Sequence, residues 1–550
     1  MGAEIRAFSG SLSKIIIWSV AIIMVVATAS VVVNQLAIPS DSYTSPEDEP
    51  TSQTDGIQEA IDDLPSYGGL IYLPSGVYDI ENQIDILQDN ITIIGDGYST
   101  ILRVKNQPTA KLTENVNIGD LDIHVNDVTG FVVGERIQME VGVADARVIE
   151  SIDVTNDILT LTTGAGVGHS IDDDVFSVMS TFYVEGDNCR IMNLKIDGNN
   201  NNWSIISAQC GAAYEIQYEE ANNFLVDRVE VDNSKHRPFR GIGNFVTVKD
   251  CYFHNMSTSG GVHVEGIPGR TWNHVLFDNC HIEMPSGIES SAVAFTTSFG
   301  SEFIMRNCYI YGHAAFRVTE DMIIEGCTFV PNDDAAHEVW IYGSDDVVFR
   351  DNMMLNETLR LKRCTIEESY DCERVWVVSN NFHNDAHLVV EYYQSHIQIT
   401  NNIFNGTTTY TAIEVAGTAA GIVRYVQITE NMFINCTGSY TTKIRYTNFL
   451  GVKDNMQIGC VRNVIDQCGN VSLTDNHCIK FTSYVFYIIG VTDMMIQDNL
   501  LTDCGSRGIS LHSATHGATD VLIMGNILDA ITPYLNDGSY TSVTMVDNIT

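Results

Sequence analysis

One pattern returns thirteen times between residue 245 and the last residue: apolar-x-apolar-x-x-(Asn or Cys)-x-apolar. Val246-Thr-Val-Lys-Asp-Cys251-Tyr-Phe, Ile397-Gln-Ile-Thr-Asn-Asn402-Ile-Phe and Val426-Gln-Ile-Thr-Glu-Asn431-Met-Phe are examples. The marked position is Cys at 251, 280, 308 and 327, and Asn at 352, 380, 402, 431, 455, 476, 499, 526 and 548. The steps vary from 19 to 29 residues around a mean of about 25. Turns therefore differ in length from unit to unit while strands do not. Period-2 alternation inside each unit specifies strands, and the 3.6 period of a helical solenoid is absent.

Several short strands in about 25 residues make one coil of a parallel β-helix, with coils stacked about 4.8 Å apart. Asn suits the marked turn because it tolerates left-handed backbone and its amide can bond the same Asn one coil above and below. The four Cys at that position are expected to form a reduced inward stack. Side chains about 4.8 Å apart lie beyond the roughly 3.5–4.5 Å Cβ separation of a disulfide. Cys364 with Cys372, and Cys460 with Cys468, bracket short loops and are the disulfide candidates.

The length of 550 residues would by itself suggest three or four globular domains, a prior that fails for a repeat rod. With 29 Lys and Arg against 70 Asp and Glu, the net charge is −41. This excludes a nucleic-acid partner, since phosphate contacts need clustered bases. It also makes local groups of basic residues informative. Ample apolar content excludes wholesale disorder.

Ile15 to Val33 is an apolar run preceded by Arg6 and Lys14 and followed by acidic sequence. It reads either as a signal peptide cleaved near Ala27-Thr28-Ala29 or as a membrane anchor, so residues 1–36 direct the chain to secretion or the cell surface. Residues 37–53 are expected to be an acidic linker. Sequons at Asn90, Asn202, Asn255, Asn356, Asn405, Asn435, Asn470 and Asn548 make glycosylation an expectation of that topology.

Within residues 54–105, apolar residues at 57, 60, 61 and 64 mark one face of a short helix. A buried strand follows, then Pro74-Ser-Gly76 and Ile91-Thr-Ile-Ile-Gly95-Asp-Gly97. This string, with Asp197-Gly198-Asn199-Asn200 further on, resembles the opening of the pectate lyase superfamily. The resemblance covers residues 54–105 and 181–550. It implies an all-β, single-stranded right-handed parallel β-helix with an N-terminal capping helix. Residues 106–180 read as a small inserted β-domain. The last motif stops in mid-coil, so an uncapped end is expected, to be covered by further chain or by end-to-end or lateral self-association.

The resemblance implies polysaccharide lyase or glycoside hydrolase chemistry, or glycan binding without catalysis. It also places the substrate groove on the outer face of the strand after the long loop. The outward stripe there is His263, Arg317, Trp340, Tyr342, Arg360, Lys362, Glu391, Tyr393 and Glu414. Aromatic rings beside Arg and Lys suit sugar stacking and carboxylate binding. The alternative is a solvated face with cross-strand ion pairs such as Lys362 with Glu391. Glu391 and Glu414 on adjacent coils are the catalytic candidates, if their carboxylates approach to about 5–6 Å. Lys235-His236-Arg237-Pro238-Phe239-Arg240 is the densest basic cluster, which makes Arg237 and Arg240 further binding candidates. Its Arg-Pro does not match the lyase spacing, and the paired-Asp, Gly-His-Gly and Asp-Pro-His-Asp motifs of related enzymes are absent. Ca²⁺ is the one cofactor the resemblance brings in, with Asp172-Asp173-Asp174 and Asn332-Asp333-Asp334 as oxygen-rich runs. The expected role is an exported polysaccharide-binding rod, with cleavage of the polysaccharide left open. A non-catalytic surface protein or adhesin comes second and a viral tailspike-like protein third.

Overall fold

The computed structural model describes residues 43–44, 52 and 54–549, apart from 106–107, 140–145, 178–179, 200–213, 235–236, 257–259, 267–270, 285–292, 333–337, 365–369, 513–519 and 537–542. The apolar run at 15–33 lies outside these residues. Among them, no helix is long and apolar enough to cross a membrane.

Each repeat contributes three strands, and each strand pairs in parallel with its equivalent one coil further on. In sheet one, Glu373–Val378 pairs with Ser395–Thr400, which pairs with Val423–Thr429. In sheet two, Asn381–His383 pairs with Ile403–Asn405 and then Met432–Ile434. In sheet three, Thr358–Lys362 pairs with His387–Glu391, Ile413–Ala416 and Thr442–Arg445 in turn. The arrangement is a parallel β-helix, and one hydrophobic core runs from Ile57 to Leu528. Like residues stack inside it: the Phe382, Phe404 and Phe433 rings lie nearly parallel, with centroids 4.5 and 5.1 Å apart.

The Asn column forms the corner between sheets one and two. Asn380 Nδ2 donates to Asn402 Oδ1 at 2.9 Å and to the Phe349 carbonyl at 2.9 Å. The Asn380 backbone N–H also donates to Asn402 Oδ1, at 2.9 Å. This pattern continues coil by coil to Asn526 and Asn548. Every amide in the interior of the column is buried with its oxygen and nitrogen both satisfied, as low-dielectric surroundings demand. The left-handed residue is the one before the Asn, not the Asn itself: Asp351, Ser379, Asn401, Glu430, Asp454, Asp475 and Asp498 all have φ between 54° and 58°. The turn thus splits two jobs that the sequence reading assigned to one residue.

Cys251, Cys280, Cys308 and Cys327 occupy the same corner as free, buried thiols. Cys280 N–H donates to Cys308 Sγ at 3.4 Å, and Cys327 N–H donates to Asn352 Oδ1 at 2.9 Å, where the column changes type. The proposed disulfides are not formed. Cys364, Cys372, Cys460 and Cys468 are all free and buried. Cys372, Cys460 and Cys468 each donate to main-chain carbonyls, such as Ile341, Phe433 and Ile444. Cys460 interacts with Cys436 one coil earlier, because inward corners align thiols along the rod rather than across a loop.

At the start, the helix Ile57–Asp62 buries Ile57, Ala60 and Ile61 against the first coil. Gln58 completes the cap: its Nε2 donates to the Asp85 carbonyl and its Oε1 accepts the Asp85 N–H at 2.7 Å. Strands between Thr109 and Ser177 form a separate six-stranded antiparallel sheet with its own core. It occupies the connection between Thr100–Val104 of sheet two and Phe182–Val184 of sheet three.

Replacing Asn402 by Ala strands the Asn380 N–H and Nδ2, and it removes the donor to the Val377 carbonyl. Denaturant unfolding should report a loss of about 3–5 kcal/mol. Asn352→Cys, which extends the thiol column by one coil, should cost less than about half as much.

Candidate functional site

The outer face of sheet three carries its functional groups in vertical columns set by strand register. Trp340 stands opposite Arg360, Arg360 opposite Val389, Val389 opposite Glu414, and Glu414 opposite Lys443. Two residues along, Arg317 stands opposite Tyr342 and Tyr342 opposite Lys362. Alternation within Glu338–Tyr342 turns Glu338, Trp340 and Tyr342 outward while Val339 and Ile341 fill the core.

The aromatic pair organises its surroundings. Trp340 and Tyr342 meet edge to face at 5.0 Å, and Trp340 Nε1 donates to Glu338. Lys362 Nζ lies 5.5 Å from the Trp340 ring and 5.4 Å from the Tyr342 ring. Arg317 approaches Tyr342 from the preceding coil at 5.8 Å. Such cation–ring contacts contribute about 0.5–1 kcal/mol at exposed positions. Among the described residues, neither Lys362 nor Arg317 forms a salt bridge with a carboxylate. Burial pushes the Tyr342 hydroxyl above the usual tyrosine range.

Arg360 is fully engaged. Its Nε donates to Glu338 Oε1 at 3.0 Å and its Nη1 to Glu391 Oε1 at 2.8 Å. Glu391 is therefore paired with Arg360 and not with Lys362. Glu414 belongs to Lys443 Nζ at 2.9 Å and Arg445 at 3.6 Å. The two catalytic candidates do not face each other. Register sets Glu391 opposite Ala416 and Glu414 opposite Val389, a two-residue offset along adjacent strands. Tyr393 lies past the end of His387–Glu391 in a left-handed turn (φ 69°), where Arg363 covers its ring at 4.5 Å.

Arg237, Arg240 and His263 gather elsewhere on the same sheet, around a residue the sequence reading passed over. Glu265 accepts from Arg237 Nη1 at 3.0 Å, from Arg240 Nε at 2.8 Å and from His263 Nδ1 at 2.7 Å. Burial alone would raise the Glu265 carboxyl, but the His263 hydrogen bond and the two arginines hold it well below the usual carboxylate range. Burial, then Arg237, push His263 down to about 4. The ring is therefore neutral, with its Nδ1 proton aimed at Glu265. Lys235 and His236 lie outside the described residues.

Three further buried groups lie on or beside sheet three near these coils. His313 is buried, meets the Trp340 ring at 3.9 Å, and is pushed down to about 4 by burial. Glu357 is fully buried, neither oxygen has a hydrogen-bond partner among the described residues, and burial followed by Glu338 raises its carboxyl. His387 stacks on Tyr410 at 4.5 Å. Position in the chain hides these groups, since each precedes or opens a strand after a turn of variable length.

The acidic run Asp172–Asp174 does not converge on a cation position. Asp173 accepts the Ser170 N–H, and Asp174 accepts Lys111 Nζ at 2.9 Å. Asp333 and Asp334 lie outside the described residues. Glu230, Asp232 and His254 do come together, on sheet two. There Lys195 Nζ already neutralises the acids, 2.8 Å from Glu230 and 2.7 Å from Asp232.

A family model described as rhamnogalacturonase A/epimerase, pectate lyase-like, matches residues 41–138. No curated protein matches by sequence. Among solved structures, the chain is similar to a family 28 exopolygalacturonase of Yersinia enterocolitica, at 12% identity and a TM-score of 0.38, over 82% of this chain and 78% of that one. It is similar to the tailspike of Pseudomonas phage phi297 at 10% identity and a TM-score of 0.34, over 89% and 76%. It is also similar to PfbA, a surface adhesin of Streptococcus pneumoniae, at 11% identity and a TM-score of 0.33, over 92% and 93%.

His263 and His313 exclude protons that the unfolded chain, near 6.5, would take up. Their contribution is complete above about pH 6.5 and is lost as pH falls toward 4, at most on the order of 2–3 kcal/mol each. Neutralising carboxylates relieves charge repulsion with the opposite sign, so the informative readout is a difference. Melting curves of His263→Gln/His313→Gln should fall less steeply than wild type between pH 6.5 and 4.

Proposed function

We propose that this chain, a pectate lyase-like right-handed β-helix, binds an acidic polysaccharide along the outer face of sheet three, centred on Trp340 and Tyr342. The observation that carries this reading is the pair of cations over those rings. On a chain of net charge −41, Lys362 and Arg317 rest on aromatic faces, with no salt bridge to a carboxylate among the described residues. Rings that stack on sugar C–H faces, beside unneutralised cations, suit a uronic-acid chain. Arg360 fixes the floor of this site by holding Glu338 and Glu391 apart.

Binding without cleavage is the form of the reading the geometry favours. Glu391 and Glu414 are each committed to a cation and stand out of register, so these two do not form a facing carboxylate pair of the glycosidase kind. A surface-bound or secreted glycan-binding rod fits this chemistry and the apolar run at residues 15–33. No calcium-dependent step is part of the reading.

Trp340→Ala should weaken binding to uronic-acid polysaccharide about 10-fold or more. Lys362→Glu should reduce it about 10–100-fold, with a smaller effect on neutral glycans. Affinity should fall with added salt. Glycan-array and calorimetric measurements on folded variants test this, and unchanged affinity in both variants would remove the site. Turnover of uronic-acid and neutral glycans, followed in parallel, would restore the enzymatic reading if it appears.

A further inference from the structure

The outer face of sheet two changes character along the rod. In the early coils it is charged and internally paired: Lys195 with Glu230 and Asp232, and His254 with Glu230. Beyond Tyr309–Tyr311 the charges stop. From Thr328–Val330 to Leu500, eight successive strands place no Asp, Glu, Lys or Arg at an outward position, and the ninth, opening at Ile527, brings Asp529. One column presents Met353, Ile403, Met432, Met456, Leu500 and Ile527, of which Ile527 is 44% exposed and Met353 39%. The neighbouring column adds Ile434, Ile458 and Ile479, and it holds the sequon Asn405, which this packing requires to be unmodified. The same fold position is thus wet and charged at one end of the rod and uncharged at the other, so the backbone does not impose the composition.

We infer that this face is the seat of a second copy of the same chain, laid side by side with the two rods parallel. Net charge identifies the occupant. Two molecules of charge −41 repel over most of their surfaces, and this face is where another copy meets least repulsion. Length supports it: eight uncharged strands extend the face about 34 Å along the rod. Shape supports it as well, because outward ridges recur at every coil and an identical period on the partner lets two sheets pack face to face about 10 Å apart.

The flanks of the face fix the orientation. The corner toward sheet one carries exposed Asp351, Glu430, Asp454, Asp475 and Asp498. The corner toward sheet three has Asn356, Asn384, Gly406, Asn435 and Gly459 at the equivalent left-handed positions, with Asp385, Lys480 and Asp503 leaving it far less acidic than the other corner. A two-fold axis along the rod sets the acidic corner of one copy against the less acidic corner of the other. An antiparallel pair would set acid against acid.

Sizing of the full-length protein by light scattering and sedimentation should give a dimer that tightens with added salt. Met432→Glu/Met456→Glu should weaken it about 100-fold, while Thr429→Glu/Thr474→Glu, with the same charge on sheet one, should leave it unchanged. Far-UV circular dichroism establishes that both variants are folded. A monomeric wild type, a dimer that survives the sheet-two variant, or equal loss in both variants would overturn the inference. Met353→Cys and Leu500→Cys should each cross-link to themselves through a short bismaleimide, with wild type as the control for native thiols. Self-cross-linking of Met432→Cys alone, at the centre of the face, would mean an antiparallel pair and overturn the orientation.

Discussion

The buried amide column between sheets one and two is the constraint on which the register of this rod depends. A parallel strand can slide by two residues and keep the same side chains inside, so apolar alternation alone pins register weakly. An Asn at the corner cannot slide. Its oxygen must meet the N–H and Nδ2 of the coil before, and its own Nδ2 must meet the next oxygen and a carbonyl. Each unmade bond leaves a polar group buried in apolar surroundings. The left-handed residue just before the Asn turns the chain sharply enough to hold the amide in the corner. Toward the N-terminus the same corner passes through Cys327, Cys308, Cys280 and Cys251 to Val229 and Leu194, and there packing has to hold the register.

Once register is fixed from inside, each outward column varies independently. From Glu338–Tyr342 to Ile413–Ala416 the inward positions of sheet three remain Val, Leu and Ile, while its outward positions run through Trp340, Arg360, Val389 and Glu414. Sheet two does the same with a different alphabet, charged early and apolar late. Ion pairs on sheet three are cross-coil pairs of half-buried groups, such as Arg360 with Glu338 and Glu391. They orient one another more than they stabilise the chain. The cations without such partners are the ones available to a ligand.

Most of the architecture was legible because strands, corner residues and the cap are local patterns. The period-2 alternation, the recurring Asn or Cys and the apolar face of Ile57–Asp62 each lie within a dozen residues. Relations between coils were less legible, because they depend on loop length. Glu391 and Glu414 look aligned in sequence, yet the strand register sets them two residues apart, Glu391 opposite Ala416 and Glu414 opposite Val389. Glu265 was visible beside His263, but its arginines come from the preceding coil. Cys364 and Cys372 look like the two ends of a clipped loop, although both thiols are free and that of Cys372 bonds main-chain carbonyls. The apolar face of sheet two did leave a signal. In Asn402-Ile-Phe and Asn431-Met-Phe the residue between the Asn and the core Phe is itself apolar, where a solvated strand would have a polar one.

The two proposed faces make demands that one globular surface would have trouble meeting together. A polysaccharide chain needs a long, open strip with a few uncompensated cations, and a second copy needs a long, uncharged strip of equal period. A three-sided rod supplies both, because sheets two and three share a corner but face different directions. Pairing through sheet two therefore leaves Trp340, Tyr342 and Lys362 uncovered on both copies. With the rods parallel, the two proposed glycan-binding strips run in the same sense. A polymer long enough to reach both would bind with the effective concentration of a linked pair rather than as two independent events. The acidic coat then acts against unwanted contacts, since charge repels copies everywhere except along the strip where the chain has removed it.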